Sequence, residues 1–342
     1  MNNLLEPWVL LRLAAGIVAL LLFLRSAATA QKVLRHFDVQ RATEGQLALE
    51  KQQELAATFA RVGTVVQVAS LALSMLAADR LSHGVRGAMC AYGVFSAHPW
   101  GFRSFAITGG VALAAGVLTQ VYAFDSRVKS LDLARPLAIL TCCMAPLAAL
   151  DVAAAAKFLL GLDLSVVASC CSVQLDPISA AGEGYAVGPR VLMTILAVVG
   201  VAVSIGLGLL AARRPTRLAV IGAGVASLLT LPAALAASVL EVAPHAFEIP
   251  THVCPFCLLK ADVLGIGYPL FGAIFVATAW AGGAAVSAVL ARTESTREAL
   301  TRFAPHRLRV GVVAWAAAFV VGLLPIVHYA VVGGGASLFA SH

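Results

Sequence analysis

Long apolar stretches alternate with short polar gaps along this chain. Eight stretches reach the roughly 20 mostly apolar residues needed to cross a bilayer's hydrocarbon core. They cover about 8–30, 62–79, 104–124, 137–160, 190–212, 218–242, 263–290 and 309–332. Apolar side chains run all round each stretch, as in membrane helices and unlike amphipathic surface helices. Ala and Gly are frequent inside them, as in GGVALAAGVL (109–118) and AWAGGAAVSA (279–288). Such small residues let helix backbones approach closely in lipid. Alternation of period two is absent, which argues against a membrane barrel. The pattern predicts an all-α, polytopic bundle, with 1–342 as a single transmembrane domain and no repeat of fixed period.

Composition and charge extend this picture. The chain is 60% hydrophobic and 12% charged, with a mean hydropathy of +0.91. The charged share is about half that of a soluble domain. Disorder, coiled coil and collagen are excluded on the same grounds. A net charge of +7 does not point to nucleic acid, because the basic residues sit at span ends and form no patch with aromatic platforms. They are also unevenly shared. Gaps 31–61, 125–136, 213–217 and 291–309 hold sixteen Lys and Arg, and the alternate gaps hold five: Arg80, Arg86, Arg103, Arg190 and Lys260. The positive-inside rule makes the first set cytoplasmic and places both termini outside, with the bilayer of a bacterial inner membrane as the setting. The first apolar run ends in Ala28-Thr29-Ala30, a signal-peptidase-like ending. Glu6 precedes it and the basic segment follows it, which reads as a retained anchor. In gap 31–61, Thr43 and Gln46 have capping-box spacing. The residues after them follow at helical intervals, as a surface helix, an extension of the second span or a docking surface.

Candidate chemistry gathers on the outer face. Cys90, Cys170, Cys171, Cys254 and Cys257 fall in outer gaps, whereas Cys142 and Cys143 lie inside the fourth span as small packing residues. In an oxidising compartment, outer thiols oxidise or bind metal. The sharpest segment is PTHVCPFCLLKAD (250–262). Its Cys254-x-x-Cys257 pair precedes an apolar helix, whose N-terminus would stabilise a thiolate. His252 is a candidate base or positive neighbour, and Lys260 is a second cation favouring the thiolate. One sulfur attacks a partner and the other resolves the mixed disulfide. Metal binding is the competing reading: Cys254, Cys257, His252 and His245 are ligands suited to copper(I) or zinc. Structural disulfides are the third. His98, Trp100 and Phe102 stand in an aromatic loop, either as headgroup-level anchors or as a flat pocket for a quinone. Asp151 is the one acid deep in a span. It is a candidate proton relay, or an ion-pair partner for Arg12. Pro146, Pro232, Pro269 and Pro325 are expected to interrupt their spans.

CPFC itself resembles the active-site motif of glutaredoxins, over four residues and without their fold. The topology resembles the disulfide-generating quinone reductases of the DsbB and vitamin K epoxide reductase types. That resemblance implies Cys254 and Cys257 beside a membrane quinone. It also implies a relay through Cys170 and Cys171, or Cys90 with one of them, from a soluble periplasmic thioredoxin-like partner. Under the metal reading the partner is a metal carrier. Those families have about four core helices, against eight here. GAMCAYGVFSAHPWGF, SCCSVQLD and HVCPFCLLK also resemble motifs of a family of bacterial multi-pass proteins, a likeness that implies no activity.

Overall fold

The computed structural model describes residues 6–36, 44–128, 130–165, 167–168, 189–333 and 338–339. These residues form helices α1 (Pro7–His36), α2 (Glu44–Ser82), α3 (Ala91–Ser96), α4 (Gly101–Asp125), α5 (Ala134–Gly161), α6 (Arg190–Arg213), α7 (Arg217–Ala237), α8 (Ala243–Phe247), α9 (Gly267–Leu290) and α10 (Glu294–Val332). A π turn, Ser238–Val242, joins α7 to α8 in one continuous rod. Eight of these helical segments are long and apolar enough to cross a membrane, the architecture of a multi-pass membrane protein. No strand occurs among the described residues, which hold one isolated bridge between Arg86 and Val167.

Packing divides the bundle into two rings of four. In the first, α1 packs on α2 and α5, and α4 packs on α2 and α5. In the second, α6 packs on α7 and α10, and α9 packs on α7 and α10. The halves join chiefly through α4 and α9, the third long helix of each ring. The sequence shows no periodic repeat, yet its packing scheme occurs twice. Small residues make the close approaches. A Cβ on Gly224 of α7 would lie 2.3 Å from the Ala285 Cβ of α9, and one on Gly283 of α9 would lie 2.3 Å from the Gln120 Cβ of α4.

The helix expected in gap 31–61 is present as an extension of the second span: α2 is one helix of 39 residues, and Thr43 lies outside the described residues. Gap 291–309 is also mostly helix. α10 starts at Glu294 behind a Thr293–Thr296 capping box, leaving only residues 291–293 as the link from α9. Of the four prolines, Pro146, Pro232 and Pro325 are inside helices. Pro269 instead lies in the first turn of α9, where a missing N–H leaves no helical bond unmade.

One end of the bundle gathers the α2–α4 and α8–α9 connections and the described residues that follow α5, among them Leu162 and Ala168. The Ala168 N–H donates to the Arg86 carbonyl at 2.8 Å, and Val9, Cys90, Ala168 and Cys254 share one packed cluster. The opposite end gathers the α4–α5, α6–α7 and α9–α10 connections around Phe124, Leu133, Val220 and Phe303. Among the described connections, neighbours in sequence therefore lie at opposite ends, as the eight-span reading expects.

Candidate three-thiol site

The site is built from two loops 164 residues apart in sequence. Cys90 stands at the N-cap of α3 in extended backbone. α3 then folds sharply into α4, and this turn demands glycine: a Cβ on Gly101 would fall 1.9 Å from the Phe95 carbonyl oxygen. From the other half, α8 is capped by Glu248 with φ 57°, and the chain turns through 249–253 to Cys254. Cys257 opens a three-residue 3-10 turn, and the segment folds back so that Gly267 abuts Leu258. Lys260 Nζ donates to the Met89 carbonyl at 3.2 Å and ties the two loops together.

These loops bring Cys90 Sγ to 3.5 Å from Cys254 Sγ. The Cys90, Cys254 and Cys257 sulfurs all lie within 4.8 Å of one another. All three residues are buried, at 1%, 0% and 7% exposure. Phenylalanines surround them. Phe95 meets Phe105, Phe158 and Phe256 at centroid distances of 5.2, 5.4 and 5.2 Å. Phe256 also meets Phe105 edge-on at 5.4 Å. Neutral sulfur suits such surroundings better than isolated thiolate.

The helix-terminus expectation for the Cys-x-x-Cys pair is corrected. α9 begins at Gly267, and Cys257 stands in the first of two 3-10 turns that precede it, so the pair does not sit at the N-terminus of α9. His252 is close enough to Cys90 for electrostatic influence. Burial pushes its imidazole below the ordinary value; Cys90 opposes that shift and Lys260 adds to it. The ring stacks on Phe247 at 4.1 Å, and Nε2 is buried with no hydrogen-bond partner. A neutral His252 suits a base better than a positive neighbour.

The other expected site residues are dispersed. Among the described residues, the group of convergent ligand atoms comprises the three cysteines and includes neither His252 nor His245. His245 Nδ1 bonds the Glu241 carbonyl at 2.7 Å, and its ring lies against Tyr329 and Phe339. The Trp100 backbone N–H donates to His98 Nδ1 at 3.1 Å, while Lys157 Nζ sits 4.3 Å from the Trp100 ring centroid. Burial, then Lys157, holds the His98 imidazole below its usual value. Phe102 packs on Tyr92 and Phe95. Cys142 Sγ is 3.7 Å from the Ala27 carbonyl in the α1–α5 contact. Cys170 and Cys171 lie outside the described residues.

Asp151 lies deeper in the first ring, about two helical turns before Phe158 on α5. Its Oδ1 accepts from Arg12 Nη2 at 2.9 Å and from the Thr108 hydroxyl, and its Oδ2 accepts from Gln67 Nε2 at 3.0 Å. Arg12 Nε also donates to Ser74 Oγ at 2.6 Å. A Cβ on Gly16 would come 2.7 Å from Arg12 Nη1, so glycine makes room for the guanidinium. The sequence reading named Arg12 as partner but missed Gln67, Ser74 and Thr108. A signal for two of them was present: Thr64, Gln67, Ser70 and Ser74 form a polar stripe at helical spacing in an apolar span.

No family model, curated protein or solved structure matches the chain. The fold and site thus define it as an all-helical, multi-pass membrane protein with a buried cluster of three cysteines at one end of its bundle.

Proposed function

We propose that the protein transfers electrons by thiol–disulfide exchange at the outer face of a bacterial inner membrane. The observation that carries this reading is the convergence of Cys90 with Cys254 and Cys257. The charge asymmetry of the gaps supports placing that end, and both termini, outside. With Cys254 and Cys257 joined, the Cys90 thiolate attacks Cys254 Sγ. A Cys90–Cys254 bond forms, the Cys254–Cys257 bond breaks, and Cys257 leaves as thiolate. His252 takes the Cys90 proton before attack, and Cys257 regains a proton afterwards. A thiolate of Cys170 or Cys171 then attacks Cys90 Sγ, the Cys90–Cys254 bond breaks and Cys254 leaves as thiolate; a soluble thioredoxin-like dithiol reduces the resulting disulfide of Cys90 with Cys170 or Cys171 and itself becomes a disulfide. Reoxidation of Cys254 and Cys257 passes two electrons and two protons to a membrane quinone, which becomes quinol.

A metal reading rests on the same three sulfurs, a set suited to copper(I) or zinc. It is the weaker reading, because three thiolates would carry more charge than one such ion neutralises into an aromatic enclosure. Acid-quenched thiol trapping on the full chain in sealed vesicles, followed by mass spectrometry, separates the alternatives. Electron transfer predicts that Cys254 and Cys257 cycle between thiol and disulfide when reduced thioredoxin and then quinone are added. Thiols that stay reduced, with one metal ion per chain lost in Cys257→Ser, establish the metal reading. A disulfide unchanged under every condition makes it a staple.

A further inference from the structure

The end of the bundle opposite the thiols carries a second cluster, to which each ring contributes one cation. Phe303 of α10 is buried there, and its ring centroid lies 5.3 Å from that of Phe124 on α4. Two guanidiniums lie over this one ring. Arg127, in the link after α4, has its Cζ 5.6 Å from the centroid; Arg307, one helical turn beyond Phe303 on α10, has its Cζ at 5.1 Å. Such contacts set the positive charge of a guanidinium against the negative face of a ring. They leave its planar fork of N–H donors for an acceptor.

Neither cation is neutralised within the described residues, whose ion pairs include neither Arg127 nor Arg307. Asp125, two residues before Arg127, supplies no counter-charge, since burial alone acts on its carboxyl. The two positive charges are close enough to oppose each other. Arg307 is also partly buried, and its Nε has no hydrogen-bond partner. Two like charges held together, one of them partly out of water, are unfavourable until an anion joins them. Their height in the bundle selects that anion. Arg127 follows the third apolar stretch by three residues, and Arg307 precedes the eighth by two. Both therefore stand at the level of lipid headgroups, where phosphate is the oxyanion at hand. Phosphate accepts from two arginines through separate oxygens. The gaps at this end hold sixteen Lys and Arg, a field that repels the ammonium of a zwitterionic lipid and attracts a net-anionic one.

We infer that Arg127 and Arg307 bind a phosphate group between the two rings, that of an anionic phospholipid in the cytoplasmic leaflet. The site does not depend on the thiol chemistry at the other end. Native mass spectrometry of the full chain in detergent, titrated with phosphatidylglycerol, phosphatidylcholine or inorganic phosphate, tests it. Phosphatidylglycerol is expected to bind at least about tenfold more tightly than phosphatidylcholine, and excess inorganic phosphate should not displace it. Arg127→Gln and Arg307→Gln should each weaken phosphatidylglycerol binding about tenfold, as loss of one charged hydrogen-bond donor does, and leave phosphatidylcholine binding unchanged. Arg307→Lys keeps the charge and loses the fork; it guards against misfolding and should weaken binding about threefold. A Lys51→Gln/Arg61→Gln double variant removes two exposed charges of α2 at the same end and should change affinity less than about twofold. An equal loss in that double variant, or equal binding of the two lipids, overturns the site. Displacement of phosphatidylglycerol by inorganic phosphate overturns the lipid as the source of the phosphate group.

Discussion

The two rings of four helices meet the same apolar surroundings with opposite internal chemistry. The first buries a guanidinium and a carboxylate, Arg12 at 1% and Asp151 at 0% exposure, and supports them with Gln67, Thr108 and Ser74. The second keeps its described ion pairs, such as Arg190–Glu241, toward helix ends and closes its centre with small residues, as where Gly224 meets Ala281 and Ala285. Charge inside a membrane bundle is tolerated when each charged group has partners around it. Small residues bring helices together without that requirement, through backbone approach alone. One ring is specified by a polar lock, the other by shape.

The largest test removes one side of the lock. Asp151→Ala leaves Arg12 buried without its counter-charge and should cost about 3–5 kcal/mol, read from unfolding in mixed micelles. Pairing Asp151→Leu with Arg12→Met should recover most of the loss. A single-variant cost below about 1 kcal/mol would show that the charges do not hold the first ring. The next test addresses shape. Gly224→Leu forces α7 away from α9 and should cost about 1–3 kcal/mol, whereas Gly222→Leu on the same helix, with nothing within 4 Å of its Cβ position, should be nearly neutral. Equal effects at the two glycines would remove the close approach as the cause.

The smallest expected effect concerns acidity at the junction of the halves. Burial lowers the folded-state value of His252 below its ordinary 6.5, so the unfolded chain binds the proton more readily. Stability is then fully present above about pH 6.5 and declines as pH falls through that range. Alkylation of Cys90 in the reduced protein should slow over the same interval. His252→Gln should flatten both profiles, and an unaltered thiol profile would remove His252 as the base.

The spans were legible because hydropathy averages over 20 residues, and their ends needed no accuracy to set which gaps share an end. The shared end of Cys90 and Cys254 follows from that parity. Their 3.5 Å approach does not: it depends on the turn at Gly101 and on the fold-back of Leu258 onto Gly267, both set by tertiary contact. Helical spacing announced the continuation of α2 through gap 31–61, whereas that of α10 was missed, since residues such as Arg297 read as gap while the helix continues through them. Proximity of the Cys-x-x-Cys pair to an apolar run suggested a helix start. Lys260, Gly265 and the left-handed Leu264 (φ 56°) instead carry the chain through two short turns first.

Burial of all three cysteines makes the bundle a sieve for oxidants. A reagent the size of hydrogen peroxide needs only a gap between side chains, whereas a bulky aromatic disulfide needs α3 to lift away from its seat. The ratio of those two reaction rates would thus report how often this end of the bundle breathes.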